Sequence, residues 1–500
     1  MQKFWKLYTF FGLVTLIGGC ASTIQKGNEV EIHWWNQYGI YQIPPNFLDE
    51  FQSRHEFKDL QPIAFTNQGQ LYRVPLESNQ WLMKHGFKPI TDVPFKYVDQ
   101  EIDNRRDSLN PEIWFSGYKD TVITEKILAF FESSRPDLCS RSIIGYSVKG
   151  KPITALRISN QKPNNLRPKL LFNGAHHGNE LLSIDYTLDL AAMLLDLELL
   201  PASKLMNKKI PLFTKFERQQ ILSNIDIYIV PMVNPDSVDN YWNRSIHLGR
   251  KNSNGVDLNR NYPFQWNSGQ TGASSQLPSA HDYRGPRPAS EPETKAMMKF
   301  ADEQRFSIIF SYHTFATRVL YPYTIDSVMN PWPDRALYYA TEFTKEAESY
   351  RIERHYEPAR KLYSVDGTDQ DWYFSQFGSL ALIVEGSMDS PEYEAGIQSI
   401  LGIRPIWMSA IREILNGPRI EVYVLSKNGL PIPNATVQIL NEVNFENENW
   451  TVHPQTGRFD VLPGPFKQVD IQVKADGFEP QIKEKLSCSK ICKEKFYLTQ

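Results

Sequence analysis

From Tyr118 to Gly417 short apolar runs alternate with stretches of helical periodicity, and beyond Arg419 that alternation stops. Strand candidates in the first stretch are Leu170 to Phe172, Ile225 to Val230, Ser307 to Phe310 and Leu380 to Val384. Helix candidates are Leu181 to Leu200 and Pro391 to Asn416, the second stopped by Gly417-Pro418. Strands alternating with helices predict an α/β sheet with helices on its faces. Ser290-Glu-Pro-Glu293 has the form of a capping box, which reads its carboxylates as helix-start groups. After Arg419 the runs are short and alternate in polarity: Ile420 to Val424, Ala435 to Ile439, Arg458 to Val461 and Val469 to Val473. Turns rich in Gly, Pro and Asn separate them, which predicts a small all-β sandwich.

The chain's start is not fold. Lys3 and Lys6 precede an apolar run from Leu7 to Ile17, too short for a stable membrane span. Leu16-Ile-Gly-Gly-Cys20 is similar to a bacterial lipobox, so residues 1–20 read as a lipoprotein signal and Cys20 as the lipidated first mature residue. The absence of Asp after Cys20 implies an outer-membrane anchor facing the periplasm or the cell surface. Export makes disulfides permissible. Cys488 and Cys492 could pair across a turn, leaving Cys139 free and buried. From residue 21 to 110 the chain is aromatic and irregular, with Gln70 to Val74 strand-like; a small packing domain and a propeptide remnant both remain open. A net charge of -3 argues against a nucleic-acid partner, which needs a basic face. A monomer is expected. Residues 111–417 then read as the α/β unit and 418–500 as the sandwich.

Chemistry concentrates at the ends of the apolar runs. Gly174-Ala-His-His-Gly-Asn-Glu180 follows a strand candidate, where open α/β sheets bind ligands. His177 and Glu180, three residues apart, share one side of a turn; His176 has only Asn179 at that spacing, a poor zinc ligand. His313 follows another apolar strand. Two histidines and a glutamate match a catalytic zinc site with a position left for water.

The order of short motifs around this triplet resembles the zinc carboxypeptidase A/B family. Ile144-Gly-Tyr-Ser147, His177-Gly-Asn-Glu180, Pro231 to Asp236, Gly249-Arg-Lys-Asn252, Gly255 to Asn261, Ser311-Tyr-His313, Leu320-Tyr-Pro-Tyr323, Tyr363 and Glu385 carry the resemblance. The wording is nearest the regulatory branch, which has a transthyretin-like sandwich after the catalytic domain. Gly429 to Val437 and Ala475 to Phe478 look like that module.

The resemblance implies a mixed twisted sheet flanked by helices and one Zn2+ per chain on His177, Glu180 and His313. It implies an exopeptidase hydrolysing the C-terminal peptide bond through metal-activated water. Glu385, closing an apolar strand, would be the general base and later acid. Arg250 would hold the scissile carbonyl oxygen and the oxyanion. Arg260, with Asn259 and Tyr363, would clamp the free C-terminal carboxylate of a peptide substrate, since a guanidinium can donate two parallel hydrogen bonds. Asp257 would orient His177. The pocket for the departing side chain would include Ser311, Leu320, Thr324, Val365, Gln370 and Ile383. Thr324 and Gln370 stand where basic-specific enzymes carry an aspartate, which speaks against strict basic preference. Asp366 or Asp369 nearby could supply a charge instead. Muropeptides, which also end in carboxylates, are the alternative substrate, and a non-catalytic binding protein is the third reading.

Overall fold

The computed structural model describes residues 24–500 apart from 27–28, 32–37, 55, 58–61, 67–68, 76–77, 90–101, 198–211, 244–248, 315, 350–354, 387–392 and 449. The signal sequence and Cys20 lie outside the described residues.

Eight strands make the central sheet: β1 Cys139–Tyr146, β2 Pro152–Ile158, β3 Lys169–Asn173, β4 Asp226–Val230, β5 Ile308–Thr314, β6 Arg318–Leu320, β7 Glu357–Ala359 and β8 Leu380–Gly386. Their order across the sheet is β7-β6-β8-β5-β3-β4-β2-β1. The middle four, β8-β5-β3-β4, pair in parallel, whereas β6 joins β8 and β2 joins β4 antiparallel. The sheet is therefore mixed, as the resemblance implied. β3 and β4 are buried at every residue and β5 likewise, the near-continuous apolar reading that strands covered on both faces require. One cover is the helix Leu182–Leu194, whose thirteen residues are all buried. It stops earlier than Leu200 because Asp196 turns left-handed at φ 61° and Leu197 N donates back to Ala192 O. The other long helix, Tyr393–Asn416, ends where Gly417-Pro418 predicts.

The capping box at Ser290 to Glu293 does not form. The helix Pro292–Gln304 starts after Glu291 with no side-chain cap. Glu291 and Glu293 instead accept from Asn252 Nδ2 at 2.7 and 3.0 Å, and Glu291 also from Asn254 Nδ2 at 2.8 Å. Tertiary donors win over the local ones, and both carboxylates hold the 249–255 loop.

Beyond Arg419 two small sheets follow. One orders Arg458–Val461, Arg419–Ser426 and Ile491–Leu498; the other orders Trp450–Thr451, Thr436–Ile439, Val469–Lys474 and Gln481–Leu486. Alternate residues such as Val469, Ile471 and Val473 are buried, the period-two pattern of a half-buried strand. Cys488 and Cys492 form a disulfide, and Cys139 is free and buried. This all-β unit is fixed to the α/β unit by a buried bidentate pair: Arg335 donates to both oxygens of Glu442, at 2.7 and 2.9 Å. Near the chain start, Tyr38–Ile43, Gly69–Pro75 and Pro62–Thr66 form a three-stranded sheet. Its own core, including Tyr41, Phe51, Tyr72 and Trp81, is separate from that of the main sheet. Among the described residues no helix is long and apolar enough to cross a membrane.

Candidate metal centre and its surroundings

β3 ends at Asn173 and the chain turns sharply through Ala175, at φ 52°. Ser183 Oγ accepts from Ala175 N at 2.9 Å, and Asn234 Nδ2 donates to His176 O at 3.0 Å, so the turn is tied on both sides. Gly178 has no room for a side chain: a Cβ there would lie 2.2 Å from the Ser237 carbonyl carbon.

His177 is the one that joins the other candidates. Its Nδ1 is 2.8 Å from Glu180 Oε1, and His313 Nδ1 is 2.9 Å from Glu180 Oε2. Ligand atoms of His177, Glu180 and His313 all lie within 4.8 Å of one another, and the three side chains are buried. His176 is fully buried elsewhere, with Nε2 at 3.1 Å from Tyr262 Oη and Nδ1 at 3.4 Å from Ser311 Oγ. Burial pushes its imidazole down to about 4, so it stays neutral.

The donor chemistry of the triplet fits a divalent ion. His177 Nε2 meets Asp257 Oδ1 at 3.0 Å, so this ring has a carboxylate at each nitrogen. A neutral imidazole has one N–H and serves only one of them; with Nε2–H given to Asp257, Nδ1 presents a lone pair toward Glu180 and His313. Two Nδ1 lone pairs and a carboxylate converging on one point are a zinc ligand set. Burial works against ionising Glu180; while no metal is bound and the two Nδ1 atoms carry protons, the imidazoles outweigh that penalty and hold its carboxyl below the usual range. Asp257 is held low by Arg250 and His177 against the same penalty.

Arg250 borders the triplet. Its Nε donates to Asp257 Oδ2 at 2.8 Å while Nη1 lies 3.4 Å from His177 Nδ1. Asp257 thus orients an imidazole with one oxygen and a guanidinium with the other. Arg260 Nη1 donates to Asn259 O at 2.7 Å and Nη2 to Tyr363 Oη at 3.2 Å; its Nε is buried without a partner among the described residues. Glu385 stands abreast of His313 in the parallel pairing of β5 and β8. Two register rows further into the sheet, on the same face, Ser311 pairs with Ile383, which pairs in turn with Leu320 of β6. Three pocket candidates therefore sit in neighbouring strands.

Thr324 and Gln370 are both buried. Sequence reading missed their acidic neighbour, Asp371. Thr324 N and Oγ1 donate to Asp371, the latter at 2.7 Å, and burial pushes that carboxyl up to about 6. Of the two acids named as possible pocket charges, Asp366 accepts from Ser268 N and Oγ with one oxygen, and Asp369 Oδ1 accepts from the neighbouring Gln370 N; the other oxygen of each is buried without a hydrogen-bond partner among the described residues. Asp369 and Asp371 share the helix Asp369–Phe377, and its phase, which spacing alone does not fix relative to Thr324, decides which of them meets that hydroxyl.

A family model described as zinc carboxypeptidase matches residues 124–397, more than half of the chain. The chain belongs to the zinc carboxypeptidase family. Its relatives include a metallocarboxypeptidase A-like protein of Trichophyton verrucosum, 26% identical over 42% of this chain and 48% of that protein. Mast cell carboxypeptidase A of Mus musculus is 25% identical over 69% of this chain and 77% of its own length. An inactive metallocarboxypeptidase, ECM14 of Ajellomyces dermatitidis, also matches, at 25% over 44% of this chain and 37% of that protein. The chain thus spans about half the length of the fungal relative. The family's fold is seen in the carboxypeptidase A structure from Helicoverpa armigera, with TM-score 0.50 and 18% identity over 76% of this chain and 98% of that one.

Proposed function

We propose that this member of the family is an active zinc exopeptidase that releases C-terminal residues from peptides. One observation carries the reading: the convergence of His177, Glu180 and His313 ligand atoms within 4.8 Å. When bound, zinc supplies a Lewis acid for the scissile carbonyl and for water. Glu385 takes the proton from the attacking water and delivers it to the departing amine. Arg250 donates to the oxygen on which negative charge develops, worth about 3 kcal/mol for one well-aimed donor. Arg260, whose Nε is unspent, grips the substrate's terminal carboxylate with Asn259 and Tyr363 beside it. Thr324 and Gln370 wall the side-chain pocket without charge, and Asp371 behind the Thr324 hydroxyl lets it accept polar as well as apolar residues.

The same reading makes the chain a monomeric envelope lipoprotein anchored through Cys20 at the outer membrane, with no nucleic-acid partner. The C-terminal sheets are then a transthyretin-like module that supports folding rather than chemistry. The test is a C-terminally varied peptide library incubated with purified, zinc-loaded protein. Stepwise loss of single residues from free carboxyl ends, abolished by a chelator and absent on amidated peptides, is expected. Cleavage of muropeptides with no action on ordinary L-peptides moves the substrate to peptidoglycan, and absence of all hydrolysis by a zinc-loaded protein overturns the enzyme.

A further inference from the structure

At the edge of the sheet opposite the histidines, the α/β unit and the all-β unit line a small cavity that opens to solvent. Lys169, Arg305, Arg458 and His453 line it, and Asp460 is the single carboxylate among the lining residues. Arg458 Nη2 and Ser307 Oγ already occupy the two oxygens of Asp460, each at 2.5 Å. Asp302 pairs with Arg305, and Asp226 with Arg167, also in the lining, so the cation of the walls without a carboxylate at ion-pair distance among the described residues is Lys169.

Its donors are also unspent. Lys169 is 3% exposed, and its ammonium donates to two amide oxygens, Asn165 Oδ1 at 2.5 Å and Gln304 Oε1 at 2.8 Å. Neither partner is charged, and the third N–H of the ammonium is left over. His453 is 4% exposed and its Nδ1 accepts from Gln455 N at 3.2 Å. Nε2 then bears the proton, and that buried N–H has no acceptor among the described residues. The Nε of Arg305, of Arg458 and the hydroxyl of Thr451, all in the lining, are in the same state. A buried donor without an acceptor loses its hydration with nothing to replace it. A cluster of them beside an ammonium without a carboxylate is what an anion with several oxygens would satisfy.

We propose that this cavity binds a small free oxyanion of the phosphate or sulfate class, held between Lys169 Nζ of the α/β unit and His453 Nε2 of the all-β unit. The guanidinium groups of Arg305 and Arg458 flank it. Because the two principal donors belong to different units, the anion ties them together. Lys169 itself is pushed down to about 8 by burial, with Arg458, Arg157 and Arg167 adding to the effect against Asp226; a bound anion would reverse that shift.

The test is calorimetric titration of zinc-loaded full-length protein with inorganic phosphate, sulfate and chloride at matched ionic strength. Phosphate and sulfate should bind one equivalent and raise the unfolding temperature, and chloride should do neither. Lys169→Gln and His453→Phe should each weaken phosphate at least tenfold, while peptide hydrolysis stays within twofold. Should Lys169→Gln fail to fold, Arg305→Gln serves in its place, since that side chain is partly exposed. Arg250→Ala, altered at the metal centre, should leave the phosphate response intact. Equal responses to chloride, or phosphate binding unchanged in the variants, overturns the site. A protein that hydrolyses nothing yet binds phosphate in this way keeps it.

Discussion

The two ends of strands β3, β5 and β8 face opposite chemistries. At their carboxyl ends lie His177, His313 and Glu385, a set that suits a cation and a water. At their amino ends lie Lys169, Ser307 and Ser379, and the cavity there suits an anion. The first end is built by the sheet's own loops, because parallel strands deliver successive chain segments to one edge. The second is completed by another unit, through residues 451–460. One sheet organises the first site; a junction organises the second.

The largest expected effect falls on the carboxyl end alone. Glu385→Gln should lower kcat/KM by roughly 10^2 to 10^4, the usual contribution of a positioned general base. Zinc content by atomic absorption and the phosphate titration should both be unchanged. Normal turnover would remove Glu385 from the mechanism, and altered phosphate binding would mean that the two ends are not independent.

Arg335→Ala tests the junction from the other side. It strands Glu442, which is 0% exposed as a side chain, and losing one partner of a buried pair costs about 3–5 kcal/mol. Urea unfolding should report that loss. Phosphate binding should weaken well before hydrolysis does; equal losses in both would show that the all-β unit shapes the metal centre as well.

A smaller effect is expected at the clamp. Arg260→Ala should raise KM for free-acid peptides about tenfold to a hundredfold, since hydrogen bonds to charged groups contribute roughly 1.5–3 kcal/mol. Zinc content and the unfolding temperature should be unchanged; a fall in either would assign Arg260 to local folding.

The smallest is Lys169→Gln on hydrolysis, expected within twofold by initial rates. A tenfold change there would couple the two edges through the 5-residue strand β3.

The carboxyl end was legible in the sequence for a physical reason. His313 sits one residue before the end of β5, and His177 and Glu180 stand at an i, i+3 spacing in the loop after β3, so local pattern pointed to groups that the fold brings together. His176 and His177 were separable because only one has a ligand three residues on. Legibility fails where a side chain chooses between local and distant partners. Ser290 to Glu293 had the correct pattern for a capping box, yet Asn252 and Asn254, some forty residues earlier, took both carboxylates. Asp371 was overlooked beside Asp366 and Asp369 because spacing alone does not fix which one a hydroxyl from 47 residues away will meet. The cationic cavity joins residues nearly three hundred positions apart, and no motif spans that gap.

His313 and Glu385 are neighbours through strand register, not through chain continuity. The segment between them can therefore lengthen, shorten or be replaced without moving either group, provided the ladder between β5 and β8 keeps its alignment. Loop grafting between Leu320 and Leu380 is accordingly the natural route to retargeting such a scaffold, whereas a single residue inserted inside either strand would bring a valine or a glycine abreast of the histidine.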